Sequence, residues 1–131
     1  MLEDVVKLFE ESDEVDREIR KLIDKKGEVY KKIAGRLNDT LAKEIKDKLG
    51  YAARVLSFQD YEDSTIFNLY LVVYCKELDD LEVDDKLKRE DEILQEVYKI
   101  LDEMLPKKYS VRISVLPADS KWWEHYTGGR Q

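Results

Sequence analysis

"IFNLYLVVYC" (residues 66–75) is the stretch on which the fold turns. It holds ten residues without Gly, Pro or a charge, rich in β-branched and aromatic side chains, and so reads as a strand covered on both faces. Its two faces differ in chemistry. Phe67, Leu69, Leu71, Val73 and Cys75 form an apolar face, while Asn68, Tyr70, Val72 and Tyr74 form a polar-aromatic one. Just upstream, "DYEDST" (60–65) is turn chemistry and "AARVLSFQ" (52–59) is a second strand, so the two predict a hairpin. Downstream, "KELDDLEVDD" (76–85) reads as an acidic loop. "KLKREDEILQEVYKILDEML" (86–105) has the spacing of an amphipathic helix that Pro106 stops. "YSVRISVLP" (109–117) alternates Val111, Ile113 and Val115 with polar residues, the pattern of a half-buried third strand ended by Pro117. A β-β-α-β unit follows, with the helix assigned to the Phe67–Cys75 face.

Residues 1–50 change the period. Leu2, Val5, Leu8, Phe9, Ser12, Val15, Ile19, Leu22 and Ile23 form one helical stripe, which resumes with Val29, Tyr30, Ile33, Leu37, Leu41, Ile45 and Leu49. The run 15, 19, 22, 26, 29, 33 alternates steps of four and three, a coiled-coil rhythm interrupted chemically by Lys26. Gly27 in "DKKGE" (24–28) divides the stripe, and the reading favours two helices, about 3–26 and 28–49, arranged as a hairpin or as one long coiled-coil-like rod. "NDT" (38–40) is a further capping signal, and Gly50 ends the helical region. The expected class is α+β: two N-terminal amphipathic helices (1–50) that pack on the sheet or mediate oligomerisation, then a small α/β domain (51–131). Its three-stranded sheet carries a helix on one face, leaving the polar-aromatic face to the N-terminal helices or to a partner.

Composition narrows the chemistry. The 131 residues are 43% hydrophobic and 40% charged, which is globular rather than disordered. One cysteine excludes an internal disulfide, and one cysteine with one histidine excludes a Cys/His zinc site within a chain. No apolar run approaches the roughly 20 residues of a membrane helix, and the acidic start "MLEDVVKLFEESDE" is unlike a targeting peptide, so a cytoplasmic setting is expected. Abundant Lys and Glu with scarce Asn, Gln, Met and Cys match a thermophile profile. The net charge of −7 disfavours nucleic acid as a general partner.

Beyond the third strand, "ADSKWWEHY" (118–126) gathers Trp122, Trp123, His125 and Tyr126. Asp119 or Ser120 predicts a cap on a short helical turn. Adjacent residues cannot both face inward, so one tryptophan buries and the other points out. The segment is either a hydrophobic lid on the sheet or an aromatic anchor for a partner. The second candidate surface is the open sheet face, where Asn68, Tyr70 and Tyr74 are expected beside Arg54 and Arg112 as a platform on which bases could stack. No phosphate-binding glycine loop, nucleophile elbow or metalloprotease helix is present, and the acidic run 77–85 lacks the spacing and the glycine of a calcium loop.

"LSFQDYEDSTIFNLYLVVYCKELDD" (56–80), with the helix and strand that follow, resembles the minimal nucleotidyltransferase family in its order of strand, turn with "EDS", apolar strand, helix and strand. The resemblance implies that fold over about residues 50–117 and a nucleotide-binding scaffold. The family's Gly-Ser is replaced by Gln59-Asp60 or Ser57-Phe58. Its metal-binding aspartates are replaced by Thr65 or Ile66 and by Asn68, which cannot hold a metal as a carboxylate would. The resemblance therefore implies a degenerate, inactive relative, with no catalytic residue, cofactor or metal carried over. The expected function is a non-enzymatic protein–protein interaction or assembly protein, self-associating as a homodimer through its N-terminal helices. The alternative is a nucleotide- or nucleic-acid-binding module.

Overall fold

The computed structural model describes residues 2–128. Helix α1 runs without a break from Glu3 to Leu49, and β1 (Ala53–Gln59) and β2 (Phe67–Tyr74) follow. A 3-10 turn (Lys76–Asp80) leads into α2 (Val83–Met104), a single helical turn α3 (Lys107–Ser110), β3 (Ile113–Ala118) and α4 (Ser120–Thr127). The sheet order is β1-β2-β3, with β1 antiparallel and β3 parallel to β2. The chain is therefore α+β, and 66–75 supplies the central strand.

The N-terminal pair of helices expected from Gly27 is one helix of 47 residues. Gly27 does not cap it. A Cβ there would lie 3.1 Å from the Phe67 ring, so the glycine is where β2 comes closest to the helix. Its intrinsic cost of about 1 kcal/mol is offset by that packing, which includes Tyr30 stacked on Phe67 at 5.5 Å. The helix ends where the sequence places its end, with Gly50 left-handed at φ 78° and its N–H donating to the Lys46 carbonyl.

Asn38 does not cap a break either. Its amide donates to the Val55 carbonyl at 2.9 Å, and its carbonyl oxygen accepts from the Val55 N–H at 2.7 Å. β1 is an edge strand, and at Val55 its outward backbone groups are satisfied by one side chain acting as a neighbouring strand would.

Both long helices lie on the same face of the sheet. Ala34, Leu41 and Ile45 of α1 and Ile93, Val97, Ile100 and Leu101 of α2 share one core with Val55, Leu69, Leu71, Val73, Cys75, Ile113 and Val115. The expectation that the N-terminal helices cover the opposite face is thus corrected. That face is partly closed by α4, whose Trp123 buries with Val72 and Ala118. An eight-residue helix suffices because the face is narrow and the indole is broad. Two further corrections concern β3. Residues 107–110 form α3, so the strand begins only at Ile113, and Pro117 lies inside it. β3 is an outer strand of the β1-β2-β3 sheet, and at such an edge a residue without an N–H is tolerated.

Candidate functional site

Two surfaces stand out. The first is the N-terminal part of α1. Ile23 lines a notch that the helix shares with the sheet, beside Gly27 and Phe67. Residues 3–22 form an arm about 30 Å long with an apolar stripe, interrupted at Ser12, left open. Leu8 is 61% exposed, Phe9 67%, Val15 56%, Ile19 45% and Leu22 65%, and Val29 and Ile33 extend the stripe along the flank of the body. Written as heptads, the stripe places Val5, Ser12, Ile19, Lys26 and Ile33 at one core position and Leu8, Val15, Leu22 and Val29 at the other. Lys26, the chemical interruption, serves the folded body instead. Its ammonium donates to the Thr65 carbonyl at 2.6 Å and rests over the Phe67 ring, tying the β1–β2 turn to the helix.

The second surface is built by α4 and the strands. Asp119 caps α4, accepting from the Trp122 N–H at 2.9 Å and pairing with Lys86 of α2 at 2.5 Å. Lys86 first, and the Trp122 amide in addition, hold the Asp119 carboxyl below the usual carboxylate range against the opposing effect of burial. Asp79 accepts from both the backbone N–H and the hydroxyl of Ser120, and those bonds lower its pKa too. The Tyr74 hydroxyl shares a 2.7 Å hydrogen bond with the same Ser120 hydroxyl. Three elements thus clamp the start of α4, and the clamp sets its side chains in place. Trp123 stacks on Tyr74 at 5.4 Å and is 3% exposed, and its indole N–H has no hydrogen-bond partner among the described residues. Trp122 is 48% exposed and meets the His125 ring edge-on at 5.4 Å.

Of the residues singled out from sequence, Asn68, Tyr70, His125 and Tyr126 come together in one open groove of about 580 Å³ on the polar-aromatic face. Trp123 and Tyr74 do not belong to that surface; they are packing beneath α4. Arg54 pairs in register with Val72 and shares the face, but it does not line the groove. Arg112 is displaced altogether. It precedes β3, stands 5.4 Å over the Tyr109 ring and lines an apolar notch on the helix side. The groove also takes Phe58, Gln59, Asp60 and Tyr61, which sequence reasoning missed. Counting the hairpin register outward from the turn would have found Phe58, which faces Asn68 directly.

The chemistry of the groove is aromatic and weakly acidic: among the described residues that line it, Asp60 is the carboxylate and there is no Lys or Arg. Elsewhere, burial pushes the Cys75 thiol up to about 12, so it stays a protonated core residue. Tyr51 is pushed up to about 12 by burial and by Glu77, which its hydroxyl meets together with Arg89. That triad pins α2 to the strand start. Among the described residues no group of three or more His, Cys, Asp or Glu side chains is placed to hold a metal ion, and no helix is long and apolar enough to cross a membrane. No protein-family model matches the chain, and neither a curated protein nor a solved structure proves similar to it.

Proposed function

We propose that this is an assembly protein that self-associates through the arm of α1. One observation carries the reading: a heptad-spaced apolar stripe from Leu8 to Ile33 whose first part projects beyond the folded body. Monomeric proteins rarely leave contiguous apolar patches larger than a few hundred Å² in water. Each such side chain gains roughly 1.5–3 kcal/mol on full burial, and a second helix laid along the stripe covers all of them at once. A homodimer meets this need with a single self-complementary surface. The test is light scattering after size exclusion. The full chain gives twice its 15.5 kDa mass, and Ile19→Glu with Leu22→Glu gives the single-chain mass with an unchanged near-ultraviolet dichroism spectrum. A wild-type chain that stays at the single-chain mass across the concentration range ends the proposal.

A second reading rests on the groove, where Phe58, Tyr70 and Tyr126 offer ring faces. On the degenerate nucleotidyltransferase-like scaffold these rings would stack a nucleobase without phosphate contacts. A nucleoside that raises the melting temperature of wild type but not of Tyr70→Ala supports it, and no shift at millimolar nucleoside removes it.

A further inference from the structure

The arm carries its charges in two blocks. Residues 3–16 hold seven acids and one base, and residues 17–32 hold seven bases and three acids. Resting on the self-association reading above, we infer that the partner is a second copy lying antiparallel, with the crossing point at about residue 17.

Three features agree on this geometry. First, charge: an antiparallel pair sets the acidic block of each copy against the basic block of the other, whereas a parallel, in-register pair sets acid against acid along two turns and more. Second, core register: in antiparallel coiled coils the two core positions face each other, so Ile19 opposes Val15 of the second copy and Val29 opposes Val5. That pairing is centred on residue 17, where the charge changes sign. The same register brings Asp4 beside Lys32 and Glu11 beside Lys25 at the flanks of the seam. Third, the place where each arm ends: residue 2 falls opposite residue 32 of the second copy. There Tyr30, Ile33, Leu37, Leu105 and Tyr109 line an apolar notch of about 250 Å³ with little polar surface. The exposed Leu2 at the tip of one arm is thus delivered to an open apolar seat at the base of the other.

The experiment uses two full-length single variants, Val15→Cys and Ile19→Cys, oxidised separately and as an equimolar mixture. The native thiol, Cys75, is fully buried and does not compete. A disulfide needs Cα atoms within about 7 Å. The antiparallel pair meets that limit between positions 15 and 19 but not between two copies of the same position. The expected result is interchain disulfide in the mixture, at least about tenfold faster than in either variant alone, together with dimer affinity that falls as salt is added. Rapid self-crosslinking of each variant alone, with affinity rising in salt, shows a parallel pair and overturns the inference while leaving self-association standing. A dimer that crosslinks in none of the three samples overturns it as well. Single-chain mass for the uncrosslinked wild type overturns the underlying reading itself.

Discussion

Asn38→Ala is the substitution that most directly tests how α1 is fastened to the sheet. The wild-type amide makes two hydrogen bonds to Val55, at 2.9 and 2.7 Å, in a part-buried setting. Each contributes about 0.5–1.5 kcal/mol, and truncation leaves both backbone groups of an edge strand unmatched. About 2–3 kcal/mol is therefore lost. Alanine's better helix propensity returns roughly half a kcal/mol, for a net destabilisation of about 2 kcal/mol. At the usual unfolding entropy per residue, a 131-residue chain shifts by about 3–4 °C per kcal/mol, so the melting temperature falls by about 7 °C at matched protein concentration. Amide exchange at Val55 accelerates, because its N–H loses its only acceptor on that side. Asn38→Asp serves as the control. It retains the acceptor but sets a carboxylate against the Val55 carbonyl, so at neutral pH it costs at least as much as Ala. Below about pH 4 its protonated carboxyl donates again and the penalty narrows. An Ala variant within about half a kcal/mol of wild type, with Val55 exchange unchanged, would refute the fastening role.

Two further predictions follow from local geometry. Asp79 and Asp119 both have lowered folded-state pKa values. Their stabilisation is fully present above the unfolded carboxylate value near 3.9 and is lost as pH falls through the folded values. Acid titration followed by tryptophan fluorescence should show the Trp123–Tyr74 stack loosening below about pH 4, and Asp119→Ala should weaken the protein by about 1–2 kcal/mol at pH 7 and flatten that acid limb; an acid limb as steep in the variant as in wild type removes Asp119 from the cause. In α1, Gly35 has open space where a Cβ would sit, so Gly35→Ala gains about 0.5–1 kcal/mol in urea unfolding. Gly27→Ala should fall short of that gain, because its Cβ meets the Phe67 ring at 3.1 Å; equal gains at both positions would show that the close approach carries no cost.

The sheet was legible because strand periodicity and turn residues are local signals: the ten residues from Ile66 to Cys75 state their own burial, and "DYEDST" states the turn. The continuity of α1 was not legible, because Gly27 is a stop signal unless the Phe67 ring that fills its space is already in view. The shared face of α1 and α2 depended on how many helices one apolar sheet face can seat, which neither helix's own pattern reports. The aromatic C-terminal segment was half legible. The sequence required one tryptophan in and one out, and the structure buries Trp123 and exposes Trp122. Arg112 was misplaced by one turn of α3, which shortens β3 at its start and swings the guanidinium to Tyr109. The groove was legible in its β2 and α4 members and not in Phe58, Gln59, Asp60 and Tyr61, whose contribution depends on hairpin register.

The position of α1 ahead of the sheet has a consequence for how the protein is made. Every surface on which the helix docks, from β1 to α2, lies later in the sequence. At typical synthesis rates the 55 residues between Leu49 and Met104 take about 3–11 s to follow. Throughout that interval Ala34, Leu41 and Ile45, which the finished fold buries, wait for the strands and the helix that cover them. Under the self-association proposed above, pairing between chains on one message would precede the folding of either body, and the two copies would be siblings from the same transcript.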